Sequence, residues 1–111
     1  MGSIIKWPGL ISLQEDIATT KDFINEYQEG KITRDRFRAC INAVYQVHNW
    51  AQLVPRIIFE AKKDANAIIK LGLIDEKTLT YYSQKTNMQK LRAELKELSE
   101  VLKEARVLQK R

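Results

Sequence analysis

One cysteine, one histidine, two prolines and four glycines are all that 111 residues hold of those types. A single cysteine rules out an internal disulfide, and with it a disulfide-stapled miniprotein. One cysteine and one histidine also fall short of the ligands that a zinc site takes from its protein. The glycines stand singly, at Gly2, Gly9, Gly30 and Gly72, so no glycine-rich phosphate loop is present. Long apolar runs are missing as well. The stretches Leu53 to Phe59 and Ala67 to Ile74 are broken by Pro55 and Arg56 or by Lys70. Neither approaches the roughly 18 residues of a membrane-spanning helix, so no membrane contact is expected. Lys6, Trp7 and Pro8 cut the first apolar stretch short of a secretory signal. Lys6 also stands where a myristoylation motif requires Ser or Thr. With one unpaired thiol, these absences predict a cytoplasmic location.

What is present suits a single folded domain over 1–111. Hydrophobic residues make up 44% and charged residues 30%, enough for a core and a soluble surface. The apolar residues recur at helical spacing. Leu10, Leu13, Ile17, Thr20, Ile24 and Tyr27 step by threes and fours, predicting a first helix over 12–29. Ser12 with Glu15 fits a capping box, and Gly30 suits the left-handed position past a helix end. Thr33 caps a second helix whose buried face carries Phe37, Ile41, Val44, His48 and Ala51. Pro55 then interrupts the stripe, which resumes at Ile57, Ile58, Ala61, Ala65, Ile68 and Ile69 and ends at Gly72. Either one long helix kinks there, or a new helix begins with Pro55 in its first turn. Trp50 keeps only partial phase with this stripe. No strand pattern or repeat is visible, so the fold class is all-α: a small bundle of three to five helices with a long C-terminal helix, the bundle spanning 10–74 and that helix 75–111.

Asp75 caps that last segment, and Met88, Leu91, Leu95, Leu98, Leu102 and Ala105 form its stripe. Unbroken from 76 to 110 it would extend about 52 Å and protrude as a coiled-coil-like helix. The alternative is a break near Thr86, where Thr86 and Gln89 offer another capping box. The excess length predicts self-association, a homo-oligomer held through Leu91, Leu95, Leu98 and Leu102.

Reactive groups do not converge. Cys40 and His48 are separated by about 12 Å of helical rise, beyond hydrogen-bond reach. Glu60 and Asp64 share a face but lack the oxygen count of a hard-cation site. No enzyme, cofactor, metal or small-molecule substrate is expected. Charge is more informative. The first helix is acidic, with Glu15, Asp16, Asp22, Glu26 and Glu29 against Lys21. The next start is basic, with Lys31, Arg34, Arg36 and Arg38 against Asp35. Cations at a helix start oppose its dipole, so they either hold an anion beside the free amides or neutralise the acidic neighbour. A second basic set comprises Lys62, Lys63, Lys70, Lys85, Lys90 and Arg92. The net charge of +5 permits nucleic-acid binding. Lys31, Arg34, Arg38, Lys62 and Lys63 are its candidate contacts, in a non-enzymatic accessory subunit. The competing expectation is a protein-binding adaptor or inhibitor that touches no nucleic acid.

Overall fold

The computed structural model describes residues 13–110, which are helical with no strand among them. The elements are α1 (Gln14–Gln28), α2 (Arg34–Ala51), α3 (Val54–Ala61), α4 (Ala65–Lys70), α5 (Glu76–Ser83) and α6 (Lys85–Gln109). The all-α bundle with a long last helix is therefore the fold, with the six-residue α4 as an additional short turn of helix. The lead-in over 1–9, Leu10 and the Ser12 capping box lie outside the described residues.

Helices α1, α2 and α6 pack against one another pairwise and hold the main core. Leu13, Ile17 and Ile24 enter it from the first helix, and Phe37, Ile41, Val44 and Ala51 from the second. Leu91, Leu98, Leu102 and Ala105 complete it from α6. The Tyr27 ring stacks on Phe37 at 4.4 Å between centroids, tying the ends of the α1–α2 hairpin. Helix α6 runs antiparallel to α2. The Tyr45 hydroxyl donates to the Leu102 carbonyl at 3.4 Å, while Arg34, eleven residues earlier, reaches the carbonyl of Gln109. Helix α3 packs on α4 and α5, and α5 packs on α6; Val54, Ile58, Ile74 and Tyr82 extend the same core on this side. The molecule measures 50 × 36 × 19 Å. Its short axis spans about two helix diameters.

Helix boundaries follow local chemistry. Gly30, at φ 75°, closes α1: its amide donates to Tyr27 O and that of Lys31 to Glu26 O. This paired arrangement satisfies carbonyls that a helix end leaves open. The Thr33 hydroxyl accepts from the Arg36 amide at 3.2 Å and starts α2. Pro55 lies in the first turn of a separate α3, where its missing donor costs nothing. The stripe that continued from Ile57 to Ile69 divides, because Asp64 accepts from the Ala67 amide at 3.1 Å and caps α4. Gly72, at φ 73°, ends that helix. Asp75 caps α5 through the Thr78 amide at 2.7 Å. The last segment breaks at Gln84, whose ψ of 128° is extended. Thr86 lies inside α6 and does not cap it. The Asn87 side-chain amide spans the break instead, donating to Tyr81 O at 2.9 Å and Gln84 Oε1 at 3.0 Å. The broken helix folds back along α1 and α2 as a bundle member.

Candidate functional site

The stripe expected to join copies of the chain is largely occupied within one copy. Leu91, Leu98 and Leu102 are buried in the core of the bundle, and Leu95 is half-buried. Contact with another chain through the three buried leucines would require the bundle to open.

The basic start of α2 also has internal partners. The Lys31 ammonium lies 2.8 Å from Glu29, and the hydrogen bond between them holds its pKa above the ordinary value. The Arg34 guanidinium donates to the Gln109 carbonyl, at the negative end of the α6 dipole. Antiparallel packing thus gives this cation a carbonyl partner at the end of α6. Arg36 and Arg38 are exposed. Lys62 and Lys63 lie far from this set, because α2 alone interposes roughly 26 Å of helix.

Lys62 faces a groove of about 420 Å³ between α3 and the start of α6. Its two walls are helix faces read at the same spacing. Pro55, Ile58, Phe59 and Lys62 stand at i, i+3, i+4 and i+7 on one side. Lys85, Met88, Gln89 and Arg92 repeat those steps on the other, with Tyr82 and Ser83 closing the end. The described lining includes three cations, Lys62, Lys85 and Arg92, and no carboxylate. The first turn of α6 adds no acidic residue and no side-chain cap, so its partial positive charge has the same sign. Phe59 is 59% exposed, and the Lys63 ammonium lies 4.9 Å from its ring centroid. Lys63 also approaches Glu60 at 3.8 Å.

The chain therefore brings Lys62, Lys85 and Arg92 together, and separates them from Lys31, Arg34 and Arg38. Sequence reading includes Lys85 and Arg92 in the second basic set but does not foresee the wall they share. The local signal is Lys85 to Arg92, three cations with no acidic residue between them.

Elsewhere, α4 buries no residue fully. Leu71 and Leu73, beside Gly72, are exposed, and Ile68 and Ile69 are half-buried. Cys40 and His48 are half-buried on α2. Glu60 and Asp64 are engaged by Lys63 and by the α4 cap. Among the described residues no three metal-ligating side chains converge, and no helix is long and apolar enough to cross a membrane. Glu94 is 6% exposed on the core face of α6, and its Oε2 has no hydrogen-bond partner. The chain matches no family model, no curated protein and no solved structure, so the groove stands on its own geometry.

Proposed function

We propose that this chain is a non-enzymatic helical subunit that contacts nucleic acid through the groove between α3 and α6. The observation that carries the reading is the convergence of Lys62, Lys85 and Arg92 on a groove without described carboxylates. Three cations facing one channel attract a polyanion, and the surrounding low-dielectric walls strengthen that field. Lys85 and Arg92 stand two turns apart, about 10.5 Å along the axis, so they address different phosphates of a strand. Lys31 and Arg34 are engaged within the fold and contribute no contact in this reading.

Fluorescence anisotropy with a labelled oligonucleotide, repeated from about 50 to 200 mM salt, tests it. Three phosphate contacts on a single strand give a log–log salt slope of about −2. Replacing Lys62, Lys85 and Arg92 by Gln removes that slope, whereas Arg34→Gln with Arg38→Gln leaves it in place. Absence of salt-dependent binding by the unmodified chain refutes the proposal. The alternative, a protein partner, is favoured by one feature, the exposed Leu71 and Leu73 beside α4. Binding of that kind changes little with salt.

A further inference from the structure

Resting on that reading of the groove, we infer that its ligand is a single strand and that Phe59 is the platform on which an unpaired base stacks. Among the described residues Phe59 is one of the few large apolar side chains left mostly in water, and it stands on a groove wall one helical turn before Lys62. One side of its ring is approached by the Lys63 ammonium. Phe59 is among the groove-lining residues and Lys63 is not, so the ring borders the groove while this ammonium stands outside its lining. An aromatic face beside cations is the combination that holds single strands without regard to sequence. A duplex cannot use it, because its bases are stacked on each other and show only their edges. Size agrees. A volume of about 420 Å³ accommodates one drug-sized group, which a nucleotide is and a double helix is not. The ring meets the base from the α3 wall, and Lys85 and Arg92 meet the flanking phosphates from the α6 wall.

The experiment uses the whole chain with labelled oligo-dT, the same strand carrying an abasic site, a duplex of equal length, and inorganic polyphosphate. Phe59→Ala weakens oligo-dT binding by roughly 5- to 150-fold, the range of one lost base–aromatic stack. It leaves the salt slope, polyphosphate binding and thermal melting unchanged, because the ring is largely exposed and carries no charge. Phe59→Trp restores affinity. The unmodified chain prefers oligo-dT to the duplex at equal salt. Equal affinity for both, or oligo-dT binding indifferent to Phe59→Ala, overturns the stacking inference while the cationic groove stands. Failure of the unmodified chain to bind any of the four polyanions overturns the groove reading itself.

Discussion

Replacing Glu94 by Met should make the protein more stable. Glu94 lies on α6 between Leu91 and Leu98, on the face turned to the core, and is 6% exposed. Its Oε2 is buried without a donor, and Lys21, a cation of the neighbouring α1, approaches Glu97 at 3.7 Å instead. A buried acceptor left without a partner costs about 1–3 kcal/mol, and more if charged. Methionine has similar length, fills irregular space and is nearly as good a helix former as glutamate. Glu94→Met should therefore stabilise by about 1–3 kcal/mol. For a domain of this size that raises the melting temperature by roughly 5–20 °C. Glu94→Gln removes the charge but keeps an unpaired polar group, so its gain is smaller. Urea titration followed by circular dichroism measures both, and an unchanged m-value shows that the same core unfolds. A loss beyond about 0.5 kcal/mol for Glu94→Met, outside the scatter of neutral substitutions, would refute the reasoning by showing that the carboxylate has a partner in solution.

Other expectations follow from the same contacts. Phe37 is 0% exposed and stacked on Tyr27, so Phe37→Ala should cost about 3–5 kcal/mol in urea melts. Arg34→Met removes the donor at the end of α6, and amide exchange over residues 105–109 should quicken while α2 stays protected. Hydrogen bonds from the Thr78 hydroxyl and amide hold the Asp75 carboxyl below its ordinary 3.8. A depressed carboxylate stabilises the fold above its unfolded value and loses that contribution as pH falls through the folded one. Carboxyl titration by NMR should accordingly place the Asp75 midpoint below that of a free aspartate. In Asp75→Asn, which keeps a capping oxygen, the acid-side loss should diminish.

The parts of this fold that were legible in the sequence are those written in neighbouring residues. Thr33, Asp75, Gly30 and Gly72 each act within one turn of the element they bound, so spacing alone identifies them. The stripe of Phe37, Ile41 and Val44 is likewise local, and all three are buried. Asp64 escaped because the apolar period runs straight through it, from Ala61 to Ala65 and Ile68, and conceals a cap. The partner of Arg34 was hidden for a different reason. That carbonyl lies 75 residues away, and no pattern around Thr33 shows that an opposite dipole end will arrive there. The groove belongs to the same class. Its walls are each periodic, but nothing local indicates that Phe59 and Arg92 face a common space until α5 turns the chain back.

The antiparallel seating of α6 has a consequence for the order of assembly. The α1–α2 hairpin needs only the short turn around Gly30, and its contacts form early and cheaply. Its remaining open side, with Ile17 and Ile41, is covered only when a helix from across α3, α4 and α5 docks; the Tyr45–Leu102 bond spans 57 residues. Closing a loop of that length costs little more entropy than closing one half as long, about 0.6 kcal/mol per doubling. Delay, not equilibrium cost, is therefore what the topology imposes. During synthesis the α1–α2 hairpin emerges before α6, so its apolar side stays uncovered until that last helix follows.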